Sequence, residues 1–323
     1  MKKIRHVLSE YRWRIREIHL GPEESDKHFY VIRRHADQAG LFSFVATNLG
    51  FVRLAVSQGY IPVIDMQNSP NPMLAPDEVG YINAWDRYFL PPCGYRLSDI
   101  CRAHNVTLGS IHPPENEYYP DYRMLQNPKE LVMWRQTANQ YLHLRPEIEH
   151  AINAYCTDVL RLQKERVLGV LCRGTDYVIQ KPYNHPIQPR VDVVIDRCRE
   201  VLARQNCSRI YLCTEDEELW NAMDAAFPEF IYGYQNRRFS LKNNENINEI
   251  GNKSMDPYTR NLDYLIAIGI LSRCQCLVAG AAGGTYGALL LTKGYDYEYV
   301  FQLGRYVTQE PLPGTVEYMQ AML

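Results

Sequence analysis

The run Val167-Leu168-Gly169-Val170-Leu171 contains no polar side chain. A segment this short, apolar on both faces, suits the middle of a parallel sheet. Ile210–Cys213 and Cys276–Ala279 repeat the pattern downstream. Between and after these runs the apolar spacing becomes helical, through Val191, Val194, Ile195, Cys198 and Leu202, then Leu219, Ala222 and Met223. Helical patterns also cover 262–271 and 284–291, and Phe230–Tyr232 adds a weak strand. Such alternation specifies a parallel sheet with helices on both faces. Nearer the start, the strand-like run His28–Ile32 ends in Arg33 and Arg34. A glycine-containing turn over Ala39–Ser43 follows, then a helical stretch through Val45, Leu49, Val52 and Val56. Gly59 closes that stretch and Tyr60–Asp65 reads as the next strand, which completes a β–turn–α–β unit.

The chain has 323 residues, too many for one ordinary core and enough for two α/β domains. The expected division is 1–150 and 151–307, with a C-terminal helix over 308–323 packing back on the first domain. Residues 66–130, rich in Pro, Asn and Tyr, read as irregular loops with short helices. Helical patterning returns over 128–142 and 146–162, and the Asn-rich segment 235–258 reads as a loop or lid. Residues 1–20 place Ile4, Val7, Leu8, Tyr11 and Ile15 at helical spacing beside Lys2, Lys3, Arg5, Arg12, Arg14 and Arg16. That pattern predicts a helix with a basic face, packed on its own domain or resting on an anionic membrane surface.

A net charge of −2 gives no global field toward nucleic acid. The nine cysteines lack metal-ligand spacing and read as buried or free thiols of a reducing compartment. No apolar stretch follows the basic N-terminus and no run approaches ~20 apolar residues. A cytoplasmic protein is expected, with peripheral contact at the inner face of the membrane through the basic helix. There is no Asp-x-Asp pair to hold a divalent cation on a nucleotide sugar, and no G-x-S-x-G nucleophile elbow.

Four constellations could carry chemistry. The first strand delivers Arg173, Gly174, Thr175, Asp176 and Tyr177 at its carboxyl end, where open α/β sheets bind ligands. An arginine there can grip a phosphate in bidentate fashion; the plainer reading is a strand end with an Arg–Asp pair. The strand over 276–279 runs into Gly280, Ala281, Ala282, Gly283, Gly284 and Thr285, small residues that expose peptide N–H groups at a helix start. This suits a diphosphate or is simply a tight turn, and it lacks the lysine of a phosphate-binding P-loop. Thr214, Glu215 and Asp216 end the middle strand, either facing a nucleoside or capping the next helix. Finally, the proline-stiffened loop 180–189 presents Lys181, His185 and Gln188. His185 has the intrinsic pKa of a general base, although a loop histidine is more often only solvated.

Taken together, Leu171-Cys172-Arg173-Gly174-Thr175-Asp176, Leu212-Cys213-Thr214-Glu215-Asp216, Leu271-Ser272-Arg273-Cys274 and the segment 279–288 resemble, in order and spacing, the fucosyltransferase superfamily of α1,2-, α1,6- and nodulation fucosyltransferases. The resemblance covers roughly 165–292, and more weakly the Gly40 turn. The segments R-G-T-D-Y, K-P and H-P-x-Q-P look like those of bacterial surface-polysaccharide proteins. The resemblance implies a GT-B fold with two Rossmann-like domains facing a cleft, the C-terminal one binding the donor. It implies a metal-independent, inverting transfer, with GDP-fucose the favoured donor and a glycan or glycolipid as acceptor. Arg173 would grip the β-phosphate; the resemblance assigns no base, for which the residues themselves offer His185 first and Asp176 second. Gly174 and Thr175 would join it, Ala282, Gly283, Gly284 and Thr285 would complete the cradle, and Thr214, Glu215 or Asp216 would face the nucleoside. Gly40, Ser43, Tyr177, Lys181 and Gln188 would lie toward the acceptor. This chain has Leu171 where the family has a motif histidine, Gly174 for a second arginine, and Lys181 near the α1,6 enzymes' glutamate. Two other readings remain open: a GT-B transferase using another GDP- or UDP-hexose, and a non-catalytic glycan- or nucleotide-binding protein.

Overall fold

The computed structural model describes residues 14–36, 39–110, 119–173, 181, 184–234, 238, 240 and 256–306. By its packing the chain divides into two compact units. One comprises 1–151, 255–266 and 289–292; the other comprises 152–254, 267–288 and 293–323.

The first unit is built on a four-stranded sheet of order β1-β4-β2-β3, with β1 Arg16–Ile18, β2 Glu23–Arg33, β3 Ile61–Asp65 and β4 Ala103–Leu108. β2 runs parallel to both β3 and β4, and β1 closes the edge antiparallel to β4. The last residues of β2 are buried, with Phe29 and Val31 on one face joining Val63, Ile100, Ala103 and Val106. Helix α1, Leu41–Ser57, leaves the carboxyl end of β2 with Gly40 as its N-cap. It ends where Gly59 takes φ +78°, a backbone that side chains resist. Helix α2, Pro128–Tyr141, starts from Asn127, whose side chain accepts from the Lys129 amide at 3.1 Å. Proline at its first position needs no amide donor there.

Three sequence expectations change here. Residues 16–18 form a strand on β4, so the predicted basic helix does not extend through them; residues 1–13 lie outside the described residues. The segment 66–130 contains β4, which pairs with both β1 and β2. Its alternation is broken by exposed His104 and half-buried Asn105, so the apolar signal is weak. The turn read over Ala39–Ser43 is shorter, because the helix already starts at Leu41.

Helix α3, Pro146–Asp158, leads toward the second unit's sheet. That sheet is fully parallel, of order β7-β6-β5-β8-β9, with β5 Val167–Leu171, β6 Arg209–Cys213, β7 Ile231–Tyr232, β8 Cys276–Gly280 and β9 Tyr297–Phe301. β9 is an edge strand that the sequence reading did not anticipate. Helices α4, Val191–Gln205, and α5, Glu217–Ala226, cover one face. There Val194, Cys198, Val201, Leu219 and Met223 meet Leu168, Val170, Ile210, Leu212 and Val278. Asn206, in the left-handed region at φ 51°, stops α4. The alternate residues of the strands face α6, Pro257–Leu271: the Tyr211 hydroxyl donates to the Ala267 carbonyl at 3.0 Å. A Cβ on Gly169 would meet Leu271 Cδ1 at 2.6 Å. Helix α7, Gly283–Leu291, follows β8 directly. The lid read over 235–258 falls mostly outside the described residues, with α6 starting inside its end, and the helix read over 308–323 lies wholly outside them.

Gly269 in α6 lets α3 approach closely, since a Cβ there would lie 2.2 Å from Ile152 Cδ1 and 2.9 Å from its Cγ1. Gly269→Ala gains helix propensity of roughly 1 kcal/mol but overpacks the contact, at a cost of about 1–3 kcal/mol. The expected result is net destabilisation in chemical denaturation, reduced when Ile152→Val removes the nearest methyl; an equal loss from Gly269→Ala in both backgrounds would refute this packing account.

Candidate functional site

β5 lies between β6 and β8, with Leu171 paired to Cys213 on one side and to Ala279 on the other. All three strands run the same way, so their carboxyl ends open on one edge of the sheet. Arg173, Glu215 and Ala281 each follow a strand end by one or two residues, and neighbouring parallel strands are about 5 Å apart. Segments more than a hundred residues apart in sequence are thus brought to one edge by backbone hydrogen bonds alone.

Arg173 is half-buried, and its Nε stands 3.9 Å from Glu215 Oε1. At that distance the pair is electrostatic rather than a direct hydrogen bond. Asp216 is nearly buried and its carboxylate accepts from the Leu219 amide at 2.8 Å, which makes it the N-cap of α5. Thr214 is buried too, and its hydroxyl accepts from the Asp216 amide at 3.2 Å. Of the three, Glu215 is the one whose side chain reaches solvent beside Arg173. Burial pushes the adjacent thiols of Cys172 and Cys213 up, the latter to about 12, which keeps both protonated and unreactive at neutral pH.

On the other flank, β8 passes through Ala281 and Ala282 into α7. Thr285 is fully buried and its hydroxyl donates back to the Gly280 carbonyl, which pins the turn. The hydroxyl is therefore committed to the fold, and what the turn itself offers is the first amides of α7, with the positive end of the helix dipole behind them.

Gln188 is not on an open loop but buried against this turn. Its Nε2 donates to the Ala281 carbonyl at 2.7 Å and to the Pro186 carbonyl at 3.2 Å. Its Oε1 occupies the space beside Gly280, where a Cβ would lie 2.3 Å away. His185 is exposed, and the backbone around it pairs with residues after β9. Asn184 donates to Tyr306 at 2.9 Å, Tyr306 returns a bond to His185 at 2.9 Å, and Ile187 donates to Gly304 at 3.0 Å. Lys181 is exposed with φ 44°. Gly174, Thr175, Asp176 and Tyr177 lie outside the described residues. Gly40 and Ser43 belong to the first unit, at the start of α1.

Sequence reasoning missed two features. The pairing of 184–187 with 304–306 is long-range, and its only local signal is the aromatic alternation of β9. Arg34 was visible as the end of a strand, but nothing in the sequence showed that it bonds to Ser43 and Thr47. Among the described residues, no group of three His, Cys, Asp or Glu side chains is placed to hold a metal ion. Nor is any helix among them long and apolar enough to cross a membrane.

An arginine-to-lysine variant of Arabidopsis thaliana FUT1, solved with GDP, matches 96% of this chain and 79% of its own at TM-score 0.50 and 9% identity. The chain has the fucosyltransferase fold. That is the GT-B, α/β class expected from the sequence. Fucosyltransferase NodZ from Bradyrhizobium covers 82% of this fucosyltransferase-fold chain and 94% of its own, at TM-score 0.46 and 16% identity. POFUT1 in complex with GDP-fucose covers 87% and 99%, at TM-score 0.46 and 9% identity. No protein-family model matches the chain, and no curated protein sequence matches it.

Asp216 and Glu215 are expected to separate by experiment. Asp216→Ala removes the α5 cap and should cost about 1 kcal/mol in denaturant unfolding, while Asp216→Asn preserves it. Glu215→Gln should leave stability within about 0.5 kcal/mol. Equal losses from Asp216→Ala and Glu215→Gln would contradict the capping assignment.

Proposed function

We propose that the protein is a glycosyltransferase of the fucosyltransferase superfamily that transfers fucose from GDP-fucose to a glycan acceptor in surface-polysaccharide or glycoconjugate synthesis. The observation that carries this is the placement of Arg173 and the β8–α7 turn at the ends of adjacent parallel strands. The GDP bound by the Arabidopsis thaliana FUT1 variant of the same fold supports the choice of nucleotide. In this reading the second unit, roughly 151–307, binds the donor, and the first, roughly 1–150, faces the acceptor.

The chemistry follows from charge. Breaking the bond between the anomeric carbon and the β-phosphate leaves negative charge on the diphosphate and an oxocarbenium-like sugar. The guanidinium of Arg173 and the first amides of α7 stabilise that leaving charge, and their orientation is already set by the fold, so little reorganisation accompanies reaction. Glu215 beside Arg173 orients the guanidinium in the free protein and faces the nucleoside in the complex. The acceptor hydroxyl attacks from the opposite side of the sugar and inverts the anomeric centre. Its proton passes to a base, for which His185 is our first candidate and Asp176 the second. No metal is required by this scheme, because the arginine and the helix amides carry the phosphate charge.

Arg173→Ala is expected to slow transfer at least a hundredfold, about 3 kcal/mol of barrier, with unfolding stability nearly unchanged. GDP should raise the thermal midpoint of the wild-type protein and UDP should not. Stabilisation by UDP alone would redirect the donor assignment to a UDP-hexose. A glycan effect without any nucleotide effect would replace the transferase with a binding protein.

A further inference from the structure

A cation at the amino end of a helix is electrostatically misplaced, because the helix dipole is positive there. Arg34 is in that position. It follows the last residue of β2, and its Nη1 and Nη2 donate to Thr47 Oγ1 and Ser43 Oγ, each at 3.0 Å. Both acceptors belong to the first turns of α1, whose first turn holds no acidic residue and whose N-cap, Gly40, has no side chain. The guanidinium also lies over the Phe44 ring, 4.6 Å from its centre. It is thus held by two hydroxyls and an aromatic face, and it meets no carboxylate among the described residues. Burial pulls its pKa down, to about 10, against a smaller opposing influence of Tyr119, and it stays cationic at neutral pH.

Among the described residues, the nearby charged groups make no ion pair with it. The Asp65 carboxylate is engaged with the Gln67 and Asn68 amides and the Asn68 side chain, each at 3.0 Å. Arg33, the adjacent residue, adds positive charge and donates to the Gly109 carbonyl. The fixed fork of Arg34 keeps its Nε–H and one N–H on each Nη for other acceptors.

We infer that Arg34, with the Ser43 and Thr47 hydroxyls that hold it, forms an oxyanion-binding subsite of the first unit, taking a carboxylate or phosphoryl group. A planar guanidinium fixed by packing loses little entropy on binding and matches either group in bidentate fashion. Read with the proposed function, on which this extension rests, the acceptor is an acidic glycan whose charged group docks at Arg34. Binding at Arg34 can be tested without any transfer reaction.

The test is a titration of the full-length, 15N-labelled protein, following the side-chain Nε–H resonance of Arg34. Its absence from the spectrum of Arg34→Lys assigns it, or from that of Arg34→Gln if the lysine variant folds poorly. Sodium phosphate and sodium glucuronate are the probes; sodium chloride at equal ionic strength and neutral glucose are the controls. The expected result is a saturating shift with a half-point on the order of 1–10 mM for at least one probe, absent with both controls. A response to phosphate alone assigns a phosphoryl ligand, and to glucuronate alone a carboxylate. No shift, or one that chloride reproduces, overturns the subsite. GDP binding measured in the same samples keeps the two readings apart. Loss of GDP binding with the Arg34 response intact sinks the transferase, and the converse sinks only the subsite.

Discussion

The hydrogen-bonded register of β5 between β6 and β8 is the constraint on which the second unit depends. Backbone bonds along a parallel ladder are indifferent to side chains, yet they fix which loops can touch. Once Leu171 is paired with Cys213 and Ala279, whatever follows each strand shares an edge. The chain then has little choice about where Arg173, Glu215 and the β8–α7 turn come to lie. What remains for local chemistry is to keep those loops rigid. Asp216 does this by capping α5 and Thr285 by bonding back to Gly280. Gln188 does it by filling the space a Gly280 side chain would take.

The first unit solves a related problem with fewer resources. Its parallel core is three strands wide, finished by a short antiparallel edge. The carboxyl end of β2 leads within a few residues into α1, so Arg34 and the helix start are neighbours by connectivity rather than by long-range pairing. The two units therefore place cationic groups on comparable strand ends by different routes, one through strand register and the other through a short connection.

Much of this architecture is legible in the sequence, for an identifiable reason. Val167–Leu171 is buried on both faces, so its composition alone announces a central strand, and the helices that cover it keep a three-to-four spacing. β4 hides because a strand with His104 exposed and Asn105 only half-buried carries a diluted apolar signal. β9 hides for a similar reason, since Glu298 is exposed and only Phe301 is fully buried. At the site, Arg173 and the glycine-rich turn could be named because strand ends are where such residues act. Asp216 could be read two ways, and the Leu219 amide bond identifies a capping role. Gln188 could not be placed at all, because its partner Ala281 lies 93 residues away and no local pattern encodes that distance.

The short ladder between 184–187 and 304–306 has a consequence for how the chain tolerates being cut or extended. Its three backbone bonds tie the proline-rich loop to the residues just beyond the last strand, and the same loop carries Gln188 into the β8–α7 turn. Residues 304–306 are thus a strut for the carboxyl edge of the second sheet. Shortening the polypeptide to the end of β9 would spare every strand of the sheet and still release the loop that braces the β8–α7 turn. Residues 304–306, which look dispensable from the sheet topology, are mechanically a support of that turn.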